Sequence, residues 1–212
     1  MNKEEAVNLI TKIVVNKIEN IKKYCVPIGI SNRHVHLSNE DLQSLFGENY
    51  KLTKKMDLKQ PGQFAANETV TIRGPKGQFE KVRILGPVRN ESQVEISMTD
   101  SFRLGVRAPI KESGNLENTP GIEIEGPEGI IRLKQGTIIA LRHVHMTPDY
   151  AEKLGFKDKD VIEVKTVGER EGVLGNVLVR VSQKSALEMH IDVDEANACA
   201  LKNNDIVVLH KK

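Results

Sequence analysis

The tetrapeptide Arg-His-Val-His occurs twice in this chain, at residues 33–36 and 142–145. The whole sequence contains only six histidines, and these two copies hold four of them. Because side chains i and i+2 of an extended strand project to the same face, each copy places two imidazoles side by side. The repeat therefore requires two equivalent strands and favours a duplicated β unit.

Similar hairpins accompany the two copies. In residues 69–85, apolar and polar side chains alternate around a Gly-Pro-Lys-Gly turn, and residues 121–133 repeat the design around Gly-Pro-Glu-Gly. Alternation with a period of two on both sides of such a turn is typical of a β-hairpin. The duplication thus extends beyond the tetrapeptide.

A short helix is predicted directly after each histidine pair. Ser38 is placed as the N-cap of the first helix, and Gly47 ends it. In the second copy Thr147 is the N-cap, Pro148 takes the first helical position and Gly155 ends the helix. Both copies follow the same order of strand, histidine pair, cap and short helix.

Units of this kind suit small closed barrels, because closure leaves no sheet edge exposed. With 212 residues, 39% of them apolar, the chain has enough material for such a core. We therefore expect a mainly β fold, with two closed β-barrels capped by short α-helices and an N-terminal amphipathic helix. The predicted segments are residues 1–24 for this helix, residues 25–115 for the first barrel domain and residues 116–212 for the second.

Residues 2–23 have a helical rather than a strand-like pattern, and Pro27 follows them. Two interpretations remain open at this point: the helix packs on its own domain or on a sister subunit, or it is a detachable docking peptide. The apolar positions recur at helical spacing and are Ala6, Val7, Ile10, Ile13, Val14, Ile18 and Ile21.

The charge balance argues against a nucleic-acid partner. The net charge is +2, from 31 basic and 29 acidic residues spread along the chain, so no broad basic face is expected. Aromatic residues make up 4% of the sequence and Trp is absent, which leaves few platforms for stacked bases. A small anionic ligand remains compatible with this composition.

A cytoplasmic location without a membrane partner is expected. No apolar run approaches the roughly 18 residues of a membrane span, and the N-terminus lacks the apolar core of a secretory signal. Cys25 and Cys199 form neither a Cys-x-x-Cys pair nor a secreted disulfide framework. We expect both to be small, half-buried side chains in a reducing compartment.

The two histidine pairs are candidate metal ligands. Zinc binds imidazole nitrogen at about 2.0 to 2.1 Å, and each pair needs a third ligand from elsewhere. Glu95, between apolar neighbours in a strand, needs a partner and suits the first pair; His190 is the remaining histidine in a strand-like segment. The alternative is a set of strand histidines that are hydrogen-bonded without a metal.

Other charged groups have two interpretations each. Arg89 lies in a turn where its planar guanidinium can bind a phosphate or a carboxylate. Arg33 and Arg142 project from the strand face opposite the histidines, where salt bridges are expected. The run from Asp192 to Glu195 is either a further set of metal ligands or a capped helix start, and His210 is expected to meet solvent.

Several motifs, taken in order, resemble one known family. They extend from about Pro27 to about Val208 and are PIGISNRHVHLS, QPGQFAANETVTIRGPKG, LGPVRNESQVEIS, SGNLENTPGI, RHVHMTP and EMHIDVDEANA. This set is similar to the PduL-type phosphate propanoyltransferase (phosphotransacylase) family. The resemblance implies two capped barrels with the active site between them. It also implies a reversible reaction in which an acyl-CoA, propanoyl-CoA or acetyl-CoA, and phosphate give acyl phosphate and coenzyme A.

The resemblance further implies roles for particular residues. Arg89 would bind phosphate, and two zinc ions per subunit would be present. One zinc ion would be bound by His34, His36 and Glu95, and the other by His143, His145 and His190. The implied coenzyme A contacts are Gly29, Ile30, Ser31, Lys76 and Asn197.

Family members associated with bacterial microcompartments carry a short amphipathic N-terminal helix. Residues 2–23 resemble this encapsulation peptide, which would bind shell or core proteins and place the enzyme inside a microcompartment. Two rival functions stay open: a metal-dependent hydrolase that uses the paired histidines, and a non-catalytic microcompartment-associated binding module. The patterns decide neither the acyl chain preference nor whether the chain forms a homo-oligomer.

Overall fold

A computed structural model of the chain describes residues 2–210, without the side chains of residues 20 and 21. The predicted segments 1–24 and 116–212 extend beyond it at Met1, Lys211 and Lys212. The predicted apolar position Ile21 also lies outside the described side chains. Within residues 2–210, no helix has the length and apolar content needed to cross a bilayer.

Five helices and fifteen strands make up the described part of the chain. The helices are α1 (Lys3–Lys22), α2 (Asn39–Phe46), α3 (Met98–Leu104), α4 (Pro148–Leu154) and α5 (Val193–Ala198). The strands are β1 (Cys25–Ser31), β2 (His34–His36), β3 (Lys54–Asp57), β4 (Phe64–Arg73), β5 (Gln78–Gly86), β6 (Gln93–Glu95), β7 (Ile110–Lys111), β8 (Glu123–Glu125), β9 (Ile130–Arg132), β10 (Thr137–Ala140), β11 (His143–Met146), β12 (Val161–Lys165), β13 (Val173–Val181), β14 (Glu188–Asp192) and β15 (Ile206–His210).

Six of the strands form a closed barrel in the order β1-β14-β11-β13-β12-β15. The barrel closes where β15 pairs antiparallel with β1. Buried side chains such as Ile28, Met146, Ile162 and Met189 fill its interior. Each such side chain contributes about 1.5–3 kcal/mol by its removal from water, so the barrel has a hydrophobic core of its own.

The other nine strands form a second sheet in the order β7-β10-β6-β2-β5-β4-β8-β9, with β3 paired to β4. Its core contains the fully buried Ile72, Ile84 and Ile124. The hairpins predicted in residues 69–85 and 121–133 are confirmed as β4 with β5 and β8 with β9. Pairing of β4 with β8 brings the two hairpins side by side.

The mainly β class with short capping helices is confirmed, but closure holds for only one of the two units. Among the described residues, the end strands β7 and β9 do not pair with each other. They are two and three residues long. Helix α2 covers the hairpin of β9, where the N–H of Glu128 donates to the Leu45 carbonyl at 3.0 Å. Because its edge strands are short or covered, this sheet does not have to close into a barrel to protect them.

Sheet membership does not follow the predicted division between residues 115 and 116. β1 lies before this division, yet it pairs with β14 and β15 in the barrel. β8, β9 and β10 lie after it, yet they belong to the nine-stranded sheet. The strand that precedes each histidine pair has therefore crossed into the other unit, and such long-range pairing leaves no local pattern in the sequence.

The helix boundaries follow the predicted capping residues. Ser38 Oγ accepts the backbone N–H three residues later at 3.1 Å, and Thr147 Oγ1 does the same at 3.4 Å. Gly47 and Gly155 end α2 and α4 with φ of 100° and 69°, a region that favours glycine. Both short helices thus begin and end where the sequence places them.

Helix α1 makes little contact with either unit. Its described side chains are exposed apart from the half-buried Ala6, and Val7, Ile10 and Ile13 are 53%, 61% and 56% exposed. The helix therefore does not pack on its own domain. A sister subunit or a separate docking partner remains as the occupant of its apolar face.

Removal of residues 2–22 is expected to change the free energy of unfolding by less than about 0.5 kcal/mol, the usual range for exposed positions. Lys23 is retained because its carbonyl accepts the Tyr150 hydroxyl at 2.6 Å. Equilibrium urea unfolding at a fixed protein concentration measures the difference. A loss of more than about 2 kcal/mol would show that α1 packs on the two units.

Candidate active site

The two histidine pairs occupy equivalent strands. β2 lies between the antiparallel β6 and the parallel β5, and β11 lies between the antiparallel β14 and the parallel β13. The antiparallel registers place Glu95 opposite His34, and His190 opposite His143. Directly opposite residues share a face of the sheet, so each pair obtains its third candidate ligand from the neighbouring strand.

The structure thereby brings together the two predicted ligand groups. Within each group, the candidate ligand atoms lie within 4.8 Å of one another. The groups are His34, His36 and Glu95 in the nine-stranded sheet, and His143, His145 and His190 in the barrel.

The first histidine of each pair is held by its own backbone. The Nδ1 atoms of His34 and His143 lie 2.8 Å from the carbonyl oxygens of Asn32 and Leu141. A carbonyl oxygen only accepts, so Nδ1–H is the donor in both rings. The Nε2 atom then carries the lone pair and is directed at the cluster, as a metal ligand requires.

Glu95 is the charged member of the sheet group. Its carboxylate oxygens lie 3.4 Å from His34 Nε2 and 3.9 Å from His36 Nε2, and all three residues are buried. Burial alone would raise the pKa of the Glu95 carboxyl, but His34, His36 and a hydrogen bond from Ser113 hold it well below its usual range. The group therefore presents an ionised carboxylate at neutral pH.

Two imidazoles of the barrel group, those of His143 and His145, are neutral at pH 7 and lie close together. Burial and the neighbouring His190 lower the pKa of His143 to about 4, and burial with His143 lowers the pKa of His145 to about 2. The Nε2 atoms of these two rings lie 3.1 Å apart. Two facing lone pairs repel unless a proton or a cation lies between them, so this donor set fits a metal ion.

The arginines of the two tetrapeptides form the expected salt bridges. Arg33 donates two hydrogen bonds to Asp100, at 2.7 and 2.9 Å. Arg142 lies 2.6 Å from Glu195. Both acids are the third residue of a helix and complete its capping box, in α3 and α5. Glu195 thus belongs to a capped helix start, as does Asp192, and neither is in the described ligand groups.

A cavity of about 470 Å³ lies between the two units. Both ligand groups line it, together with Arg89 and the backbone segment of Gly29, Ile30 and Ser31. The loop between β3 and β4 contributes Leu58, Lys59 and Gln60 to its wall. The cavity therefore collects most of the predicted site residues at the junction of barrel and sheet.

Two predicted contacts lie outside this cavity. Lys76 is exposed in the turn between β4 and β5, where its N–H donates to the Leu104 carbonyl at 3.0 Å. Asn197 is exposed on α5. This hydrogen bond holds the turn against the end of α3. Neither residue is among those that line the cavity.

Arg89 is half-buried beside the sheet group. Its N–H donates to the Leu37 carbonyl at 2.8 Å, and its Nη1 donates to Ser113 Oγ at 3.2 Å. Burial lowers the pKa of the guanidinium, Glu95 opposes this, and the like charge of Arg180 adds to the lowering. Among the described residues no carboxylate forms an ion pair with Arg89, so its charge is available to an anionic ligand.

Glu188, Ser113 and Arg180 line the same cavity and were not predicted. Glu188 accepts from His190 Nε2 at 2.8 Å and lies 2.9 Å from Lys59 Nζ. Its position two residues before His190 in a strand was a usable signal, because i and i−2 share a face. No sequence pattern indicates Ser113 or Arg180, because only tertiary contacts bring these residues to the cavity.

Gly29 permits the close approach of β1 to this cluster. A Cβ at this position would lie 2.7 Å from Glu188 Cδ and 3.0 Å from His190 Cδ2. Side chains cannot occupy that space without displacing Glu188 or His190. The glycine of the Gly-Ile-Ser segment is therefore required by the site itself.

The known proteins that this chain resembles belong to one family. The sequence model of the phosphate propanoyltransferase family matches residues 27–202. A phosphate propanoyltransferase of Thermotoga maritima is 54% identical over 95% of this chain and 99% of that protein. Those of Rhodopseudomonas palustris and Clostridioides difficile are 52% and 49% identical; they cover 91% and 97% of this chain, over 85% and 99% of their own lengths. The chain therefore belongs to the phosphate propanoyltransferase family and is a phosphate acyltransferase.

Proposed function

We propose that this chain transfers an acyl group reversibly between coenzyme A and inorganic phosphate at a site that holds two zinc ions. One observation carries the proposal: two groups of metal-binding side chains and an arginine without a carboxylate partner line a single cavity. Propanoyl-CoA and acetyl-CoA are the expected substrates, and acyl phosphate is the product.

The donor sets suit zinc. Imidazole nitrogen and carboxylate oxygen are ordinary zinc ligands, and three protein ligands leave a position open, as in catalytic sites. His34, His36 and Glu95 would hold one ion, and His143, His145 and His190 the other. Bound zinc would supply a Lewis acid that polarises a thioester carbonyl or a phosphate oxygen.

Arg89 is proposed to bind and orient the phosphate. Its planar guanidinium matches two phosphate oxygens, and Ser113 holds it at the cavity wall. A phosphate oxygen would then form a bond to the thioester carbon while the carbon–sulfur bond breaks. Acyl phosphate and the coenzyme A thiolate result. Phosphate is a modest nucleophile, so holding the two reactants in line provides much of the rate increase.

A covalent enzyme intermediate is not part of this proposal. Neither Cys25 nor Cys199 lines the cavity, so no cysteine is placed to accept the acyl group. Direct attack of phosphate on the thioester needs no further nucleophile from the chain.

The coenzyme A contacts are proposed at two distances from the reaction centre. Gly29, Ile30 and Ser31 line the cavity and would contact the part nearest the thioester. Lys76 and Asn197 lie outside the cavity, so their proposed contacts fall on the more distant part of the cofactor. A long ligand that extends out of the cavity is compatible with both sets.

Helix α1 is proposed to dock the enzyme to shell or core proteins of a bacterial microcompartment. Its exposed apolar residues support this role, because within residues 2–210 they do not pack against the barrel or the sheet. An apolar stripe on a free helix is the usual form of a peptide that binds in a groove of its partner.

The reaction is tested by thiol release from propanoyl-CoA and acetyl-CoA with the full-length, metal-loaded protein. We expect release to require phosphate and to fall to background without it. Release that is independent of phosphate would identify a hydrolase. A protein without residues 2–22 is expected to keep its activity, whereas a non-catalytic docking module would show no turnover in either form.

The metal assignment is tested with His143→Ala and His190→Ala. Each variant is expected to lower bound zinc from about two to about one per chain and to reduce activity by more than about 100-fold, since loss of an outer-shell partner alone costs 10- to 100-fold. Elemental analysis and activity are measured on one sample. His210→Ala, at an exposed histidine of β15, is the matched control and should keep both. Unchanged zinc in His143→Ala would disprove its assignment as a ligand.

The role of Arg89 is tested with Arg89→Ala. The KM for phosphate should rise by about 10- to 100-fold, because hydrogen bonds to charged groups contribute about 1.5–3 kcal/mol and 1.4 kcal/mol is a tenfold change. The zinc content should not change. Arg107→Ala removes an exposed arginine from the same sheet unit and serves as the control. Loss of zinc from Arg89→Ala would show that Arg89 supports the ligand group instead.

A further inference from the structure

Arg180 lies beside the barrel group, on the strand next to His145. β11 and β13 pair in parallel with His145 and Arg180 in register, so both side chains share a face. Arg180 lines the main cavity and also a second cavity of about 330 Å³. The wall between the two cavities is formed by Gln60, Gln63, His145 and Arg180, which line both.

The carboxylates near the ligand groups are already engaged. Glu95 is bound by His34 and Ser113, and Glu188 is bound by Lys59 and His190. Asp57 and Asp192 also line the main cavity; Asp57 pairs with Lys54, and Asp192 caps α5. Among the described residues, none of these carboxylates forms an ion pair with the three arginines of the main cavity, Arg83, Arg89 and Arg180.

Arg180 has only a loose and shared counterion. Its Nε lies 3.6 Å from Glu112 Oε1, beyond an ordinary hydrogen bond, and the same oxygen is in closer contact with Lys159 Nζ. Within residues 2–210, Arg180 forms no other ion pair. The positive charge of Arg180 also acts on Arg89, since it contributes to the lowered pKa of that guanidinium after burial. Arg89 and Arg180 line the same cavity from opposite units.

The second cavity has the chemistry of a small-anion site. Lys159, Arg180 and Lys184 line it. Its one acidic side chain, Asp158, accepts the N–H of Val181 at 2.8 Å. This cavity is smaller than the main one and meets it at His145. A ligand that bridges the two cavities would be small and negatively charged.

We propose that Arg180 binds the phosphate together with Arg89, from the opposite side of the active site, where the two cavities meet. The inference rests on the proposed acyl transfer to phosphate and adds a second binding residue to it. A phosphate held by one arginine from the sheet and one from the barrel is fixed in orientation, while the main cavity stays available to acyl-CoA. Like-charge repulsion between the two guanidiniums is relieved only when the anion is present.

The test uses Arg180→Gln in the full-length, metal-loaded protein, with Arg170→Gln as the control. Arg170 is an exposed arginine in the turn between β12 and β13, so the substitution and the change in charge are the same. Steady-state kinetics give the KM for phosphate and for propanoyl-CoA, and titration calorimetry gives the Kd for inorganic phosphate without turnover. Elemental analysis gives the zinc content.

Arg180→Gln should raise the KM and the Kd for phosphate by about 10- to 100-fold and leave the KM for propanoyl-CoA and the zinc content unchanged. Arg180→Lys, which keeps the charge but not the planar fork, should show a smaller rise. Unchanged phosphate binding in Arg180→Gln would overturn the inference, and so would an equal rise in both KM values or a loss of zinc. A wild-type protein that turns over without phosphate would instead contradict the proposed function, which is a separate result.

Discussion

The reciprocal exchange of two strands between the units determines where everything else in the site lies. β1 precedes the first histidine pair and joins the barrel beside the His190 strand, and β10 precedes the second pair and joins the sheet beside the Glu95 strand. Two residues separate each exchanged strand from its histidine strand. Both pairs are therefore held at the boundary between the units. Ile28 and Ile138 are fully buried in opposite units, so separating them would expose side chains whose burial contributes about 1.5–3 kcal/mol each.

The Arg-His-Val-His tetrapeptide makes contacts on two sides: its histidines and its arginine point in opposite directions. Its histidines face the cavity, and its arginine binds the capping acid of the helix that follows the third-ligand strand: Asp100 for Arg33, and Glu195 for Arg142. One short sequence thus fixes a ligand pair, the neighbouring strand and the next helix relative to each other. The two arginines are structural, because each is paired with the acid that caps a helix.

Some features of this chain could be predicted because they depend only on residues that are close together in the sequence. The hairpins, the caps at Ser38 and Thr147, and the common face of each histidine pair follow from turn chemistry and strand periodicity. The exchange of β1 and β10 could not be predicted, because pairing between strands that are distant in the chain leaves no local sequence pattern. The same holds for Arg180, which reaches the site only through the register of β13 with β11. The contact at Lys76 is implied by the family resemblance alone, and Lys76 does not line the cavity.

The two ligand groups share a geometry but differ in charge, and this difference bears on where the proposed phosphate would bind. In the sheet group the third ligand is the ionised Glu95, whereas in the barrel group it is an imidazole, which binds metal in its neutral form. The carboxylate near the barrel group is Glu188, and Lys59 offsets its charge. A cation in the barrel group would thus keep more of its positive charge than one in the sheet group. This difference would draw the proposed phosphate toward the barrel group, where Arg180 and the second cavity lie, so that Arg89 would reach it across the cavity from the sheet.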